Sequence, residues 1–189
     1  MASPAVAVLA AGQGRRFGGG KLEAPCAGKP LGRWALDAVE AAGLGPGTIV
    51  TGPEGVSFAD GWRAVVNPQP DAGIGTSLAL AARAALEHDA ASLLVLLADM
   101  PLVTAAYLRA LARCPPPAAT RYPGWSYGVP AVLDRRLIEE AARLTGDRGA
   151  GALLTAVPGL AHREPPAGML RDVDTQEDLA EVARALASP

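Results

Sequence analysis

Between Leu9 and Lys21 the chain reads LAAGQGRRFGGGK, with glycine at positions 12, 14, 18, 19 and 20 and cations at Arg15, Arg16 and Lys21. Glycine leaves backbone N–H groups uncovered, and turns built from such residues form concavities that hold phosphate oxygens. Guanidinium and ammonium groups beside them add charge-assisted hydrogen bonds. Read from spacing alone, the stretch is either such an anion cradle or a flexible turn with solvated basic residues. Two common phosphate motifs do not fit. A GxGxxG pattern opening at Gly12 meets Phe17 where its third glycine belongs, and a GxxxxGK[ST] pattern closing on Gly20 and Lys21 meets Arg15 and Leu22.

The acidic residues offer complementary chemistry. Asp99 ends SLLVLLADMP, the most apolar run in the chain, where a carboxylate needs a charged partner. A divalent cation, Mg2+ or Mn2+, would supply one, because Mg2+ takes oxygen ligands and bridges carboxylates to phosphates. The alternative, a cap for a helix near Thr104, is weaker because Pro101 and Thr104 themselves give that helix a start. In RDVD, Asp172 and Asp174 share one face of a short strand and can point at one metal or one phosphate. Asp174 with Glu177 also reads as a capping box, and Asp172 as an ordinary solvated carboxylate.

Further along the chain, GIGTSLALAARAA places Thr76 and Ser77 at a helix N-terminus, a site for an anion, although Ser77 is equally a plain N-cap. TGDRGAGALL reads as a surface loop before a helix, with Asp147 and Arg148 paired in solvent. His88 and His162 lie outside every motif and read as surface residues. Cys26 and Cys114 belong to no CxxC pair and read as structural thiols.

Short apolar runs alternate with segments of helical period, and these elements must position the chemistry. AVAVLA, GTIVTG, RAVVNP, SLLVLLADMP and GVPAVL read as strands, with SLLVLLADMP central because it is apolar on both faces. PLGRWALDAVEAAG reads as a helix with Leu31, Ala35, Ala38, Val39 and Ala42 on one face. A second helix begins near Thr76 or Ser77 with Leu78, Ala82, Ala85 and Leu86 as its stripe, DRRLIEEAARL forms another, and the last buries Leu179, Val182, Ala183 and Leu186. This alternation predicts an α/β fold with a mostly parallel sheet covered by helices on both sides. Ligands in such sheets bind beyond the carboxyl ends of the strands, which puts the glycine-rich loop and Asp99 on one rim.

The 189 residues suit one domain, spanning 1–189. Half are hydrophobic and 19% are charged, unlike a disordered chain. A net charge of −2 speaks against a nucleic-acid coat or a membrane-surface binder. No run approaches a membrane span and no signal-like segment opens the chain, so a cytoplasmic protein is expected.

Taken together, LAAGQGRRFGGGKL resembles the LAAGxSxRMGxxK signature of the nucleotidyltransferases that act on the molybdenum cofactor, and most nearly their cytidylyltransferase branch. NPQPDAGIGTSL, LLADMPLV, TGDRGAGALL and DVDTQEDL continue the resemblance in order along nearly the whole chain. Gly14 stands where the family has Ser, Phe17 where it has Met, and Ala98 where it has Gly. Val129 in GVP replaces the His of GHP and removes a polar side chain on the acceptor side.

The resemblance implies a Rossmann-like, three-layer nucleotidyltransferase fold and transfer of CMP from CTP to the phosphate of molybdopterin, with release of pyrophosphate. It also implies a nucleotide site made by Leu9, Ala10, Ala11, Gly12, Gly14, Arg15, Arg16, Lys21, Asn67 and Ser77. In that site Arg16 holds the β- and γ-phosphates and Lys21 the α-phosphate, while Asp99 with Asp172 or Asp174 holds Mg2+ or Mn2+. Asp147 and Arg148 line the acceptor side. A guanylyltransferase of the same cofactor, another phosphate-acceptor transferase, and a silent nucleotide- or pterin-binding partner of a client molybdoenzyme remain as alternatives.

Overall fold

The structure, a computed structural model, describes residues 3–187. In chain order the elements are β1 (Ala5–Ala10), β2 (Pro25–Cys26), β3 (Lys29–Pro30), α1 (Arg33–Ala41), β4 (Thr48–Thr51), β5 (Arg63–Val66) and α2 (Ile74–Glu87). There follow β6 (Ser92–Leu97), α3 (Ala105–Ala112), β7 (Ala118–Tyr122), β8 (Ser126–Asp134), α4 (Arg135–Ala141), α5 (Ala150–Thr155), β9 (Ala161–Arg163) and α6 (Gln176–Ala187). Among the described residues, seven strands form one sheet in the order β5-β4-β1-β6-β8-β7-β9, and β2 and β3 form a separate hairpin. No helix among them is long and apolar enough to cross a membrane.

The apolar runs explain the layers. Side chains alternate across a strand, so a run that is apolar at every position must bury both faces. In β6, Leu94 and Leu96 enter one hydrophobic cluster while Leu93 and Val95 enter another; in β1, Val6 and Val8 part from Ala7 and Leu9 in the same way. The first cluster is roofed by Leu36 and Val39 of α1, Leu108 and Leu111 of α3, and Val182 of α6. The second is roofed by Leu78 and Ala82 of α2, Leu137 and Ile138 of α4, and Leu153 and Leu154 of α5. Each fully buried leucine contributes about 1.5–3 kcal/mol. The result is the Rossmann-like, three-layer α/β fold, with β6 at the middle of its sheet as its composition predicts.

β5, β4, β1 and β6 run parallel, with Ala10 level with Thr51, Thr51 with Val66, and Leu9 with Leu97. Their carboxyl ends therefore open onto one rim, where the glycine-rich loop and Asp99 meet. β8 is antiparallel to both β6 and β7, so the sheet is parallel in most but not all of its pairings. This reversal comes from the β7–β8 hairpin, and it brings the amino end of β8, with Val129, to the same rim.

Three local readings need correction. Residues 171–174 form no strand: Val173 is fully buried and its N–H donates to the Asp99 carbonyl at 3.0 Å, which anchors the segment without a ladder. Asp172 and Asp174 therefore do not share a strand face. The cap of α6 is not Asp174 with Glu177 but Thr175 with Asp178. The Asp178 Oδ2 accepts from the Thr175 N–H at 2.8 Å, and the Thr175 Oγ1 accepts from the Asp178 N–H at 3.2 Å. Finally, α2 begins at Ile74, because Gly73, at φ 105°, takes the N-cap position; Ser77 is not a cap.

Candidate active site

The loop after β1 folds into two single turns of 3-10 helix, Arg15–Phe17 and Lys21–Glu23. Gly14 organises it. Its carbonyl accepts from the N–H groups of Phe17, Gly18 and Gly19 at 2.9, 3.1 and 3.1 Å, so these three donors are spent inside the loop. Gly14 adopts φ 58°, and a Cβ there would lie 2.9 Å from the Lys21 Cβ. Left-handed backbone and close approach together require glycine at this position. Gly12 differs: a Cβ there would meet nothing within 4 Å, so neither strain nor packing excludes a side chain.

The turn drives Lys21 inward, where its side chain is only 7% exposed. A buried ammonium must be paired, and two carboxylates meet it: Asp99 Oδ2 at 2.7 Å and Asp174 Oδ1 at 3.4 Å. Arg16, largely exposed, reaches the other oxygen of Asp174 at 2.7 Å. Cation and anion thus alternate through Arg16, Asp174, Lys21 and Asp99. The second oxygen of Asp99, Oδ1, is buried and finds no hydrogen-bond partner among the described residues. Release of Asp174 from the α6 cap is what frees its carboxylate for this array.

A cleft of about 720 Å³ opens beside Lys21, within the range of small-molecule sites. Ala10, Ala11 and Gly12 form its floor, and residues after β4 and β5, among them Pro53, Glu54 and Gln69, form its far wall. Asp71 crosses from that wall: its carboxylate accepts from the Arg15 guanidinium and, at 3.1 Å, from the Gln13 amide. Arg15 is therefore committed to a clasp across the cleft mouth. Asp71 lies inside the quoted NPQPDAGIGTSL, but only folding reveals that it faces the basic loop.

Asn67 and Ser77 are buried and bind each other. The Asn67 amide donates to Thr76 Oγ1 at 2.8 Å and to Ser77 Oγ at 2.9 Å, and its carbonyl oxygen accepts from the Gln69 N–H at 3.0 Å. Asn67 thus fixes the far wall to α2, while Ser77 lines a neighbouring cavity of about 170 Å³ with Gly12 and Asp99. The α2 N-terminus is not the open anion site that its sequence offers. Its Gly75 N–H donates to the Gly146 carbonyl at 2.9 Å and its Thr76 N–H to Gly73 at 3.2 Å. The loop carrying Asp147 and Arg148 closes over it, and both of those side chains are exposed.

A MobA-like NTP transferase domain model matches residues 6–164. The chain belongs to this family. Purine catabolism protein PucB of Bacillus subtilis (strain 168) is 28% identical to this MobA-like transferase, over 94% of this chain and 95% of its own. Among solved structures, Rv0371c from Mycobacterium tuberculosis H37Rv superposes with a TM-score of 0.81 at 26% identity, covering 97% of this chain and 99% of its own. A structure of Rv0371c in complex with manganese gives 0.77 at 25%, over 97% and 100%. A nucleotidyl transferase from Methanothermobacter shares the fold, with a TM-score of 0.80 at 22% identity over 98% of both chains.

The MobA-like transferase has a donor set that suits a divalent cation in one respect. The buried, unpartnered Asp99 Oδ1 is the kind of oxygen a hard cation takes. Of the two carboxylates expected as partners of Asp99, Asp174 lies with it against Lys21. Among the described residues no three His, Cys, Asp or Glu side chains gather at metal-binding separation. Asp174 is held by Arg16 and Lys21, and Asp172 is exposed. Mg2+ needs only one or two carboxylates when phosphates and water complete its shell.

Tyr122, which the sequence did not single out, lines a small cavity together with Val129. Its hydroxyl donates to the Val129 carbonyl at 2.5 Å. Burial pushes its phenol up to about 12, and the nearby charges of Asp172 and Asp99 add to the rise. Both histidines are exposed, His88 against Arg63 and His162 tilted against the Tyr127 ring.

Proposed function

We propose that this MobA-like nucleotidyltransferase transfers CMP from CTP to the terminal phosphate of molybdopterin. An oxygen of the acceptor phosphate attacks the α-phosphorus of CTP; the new P–O bond forms as the α–β bridge breaks, and pyrophosphate leaves with the electron pair. A phosphate monoester has its second pKa near about 6, so the nucleophile needs no general base at neutral pH. Neutralising charge and aligning the two anions are the remaining tasks.

The observation that carries this reading is the buried Lys21 held against Asp99, whose second oxygen lacks a partner, beside a cleft of nucleotide size. Lys21 would meet the charge that gathers at the α-phosphate, and Arg16 the β- and γ-phosphates. Ala10, Ala11 and Gly12 would lie along the nucleoside, where their small side chains leave the backbone accessible. Mg2+ or Mn2+ held by Asp99 and Asp174 would supply further neutralisation of the phosphates. A cytoplasmic setting would supply NTP and keep the Cys26 and Cys114 thiols free. The Bacillus relative's name makes an enzyme of purine catabolism the client to test.

Pyrophosphate release from each of the four NTPs, with and without molybdopterin, tests the reading. Release from CTP that requires both molybdopterin and divalent metal is expected. Release from GTP instead would assign the guanylyl reaction, and nucleotide binding without release from any NTP would assign a silent binding partner.

A further inference from the structure

A hollow of about 180 Å³ lies between α2, β6 and β8. It shares Leu9, Ile74 and Leu97 with the cavity that ends on Gly12, Ser77 and Asp99, so it adjoins the candidate reaction site. Leu78, Val95, Val129, Ala150 and Tyr122 complete its side-chain walls. Tyr122 alone among these carries a polar side-chain atom, and its hydroxyl is already committed to the Val129 carbonyl. A polar group entering here would lose water and find no side chain to replace it. An apolar group loses nothing on entry: an aliphatic-lined cavity of about 150 Å³ is large enough to take benzene.

The mouth carries a second, independent sign. Ile74 is 41% exposed, and among the described residues only Val66 is its equal as an exposed large hydrophobic side chain. Ile74 sits in the first turn of α2, where helix formation alone does not call for isoleucine. Val129 adds a further apolar wall at the position where the resemblance leads one to expect a polar side chain.

We propose that this hollow seats an apolar group of the acceptor, about the size of a phenyl ring or a branched alkyl chain, next to its phosphate. The acceptor is thereby an aryl- or alkyl-bearing phosphate on this side, and the hydrogen-bonding edge of a pterin would have to lie outside the hollow. That the seated group belongs to an acceptor rests on the nucleotidyl-transfer reading; that an apolar group is seated does not.

The test uses the full chain with labelled Ile, Leu and Val methyl groups, titrated with benzyl phosphate and, separately, with glycerol 3-phosphate. Saturable shifts at Ile74, Leu97 and Val129 are expected, with benzyl phosphate binding at least about tenfold more tightly, as for other differences read by apolar pockets. Val129→Phe, which fills the hollow, and Val129→Asn, which makes it polar, should each weaken benzyl phosphate by about tenfold or more while CTP binding stays unchanged. Equal binding of the two phosphates, or shifts that spare Ile74, Leu97 and Val129, would overturn the proposal. The comparison of the two probes on the unaltered protein decides it even if neither variant folds. Failure of CTP to bind the unaltered protein would instead remove the nucleotidyl-transfer reading, while the methyl shifts still report on the hollow.

Discussion

Asp99 gives one oxygen to Lys21 and keeps the other buried without a partner. Asp99→Asn keeps the shape and removes the charge, so turnover should fall by about a hundredfold or more, with some loss of melting temperature because the buried Lys21 loses its nearer carboxylate. Near-normal turnover at limiting Mg2+ would exclude a metal role for this residue. Lys21 and Arg16 should separate kinetically. Lys21→Ala should mainly lower kcat, because the ammonium is proposed to meet charge that develops during transfer, whereas Arg16→Ala should mainly raise KM. The structure adds a stability readout. Lys21→Ala leaves Asp99 without its cation and Asp174 with Arg16 alone, at a cost of about 1–3 kcal/mol. Added Mn2+ should restore more of the Lys21→Ala melting temperature than it adds to the parent, whereas the exposed Arg16→Ala should melt like the parent.

At the scale of the element, α6 matters because its start decides what Asp174 does. Thr175 and Asp178 cap the helix reciprocally, which leaves the Asp174 carboxylate outside the cap and turned to Lys21. Thr175→Ala should cost about 1 kcal/mol, the usual loss for a capping hydroxyl, and should be visible in chemical denaturation. The Thr175 hydroxyl, then the N–H groups of Asp174 and Thr175, hold the Asp178 carboxyl below its ordinary 3.8. A depressed carboxylate contributes stability that is fully present above its unfolded pKa and lost as pH falls through the folded one. The melting-temperature gap between the parent and Asp178→Asn should therefore hold at neutral pH and shrink as pH drops below 3.8. A gap that widened in acid would rule out this cap.

For the whole molecule, the decisive packing is between α2 and the loop that carries Asp147 and Arg148. A Cβ at Gly75 would come within 2.7 Å of the Gly146 carbonyl, 2.8 Å of Arg148 and 3.0 Å of Thr145. These are backbone oxygens, which cannot swing aside. Gly75→Ala should therefore cost about 1–3 kcal/mol in a urea melt and speed amide exchange in residues 145–149. Gly12→Ala is the contrasting case, since its methyl meets no protein atom and enters the cleft. Its melt should match the parent, while KM for NTP rises. Equal destabilisation by the two alanines would deny that one glycine serves packing and the other a ligand.

The apolar runs of β1 and β6 were legible in the chain because a strand covered on both faces must be apolar at every position. So was the rim, because parallel strands place their following loops together, and so were the charges of Arg16, Lys21 and Asp99, set at the ends of apolar elements. Periodicity could not reveal the partners. Lys21 meets Asp99 across 78 positions and Asp174 across 153, and Asn67 meets Ser77 rather than open solvent. Local sequence encodes where an element lies and which face it buries. Which carboxylate neutralises the buried lysine was decided only in the tertiary structure, by the register of β1 against β6 and by the bond from the Val173 N–H to Asp99, which sets Asp174 beside Lys21 and leaves Asp172 in water.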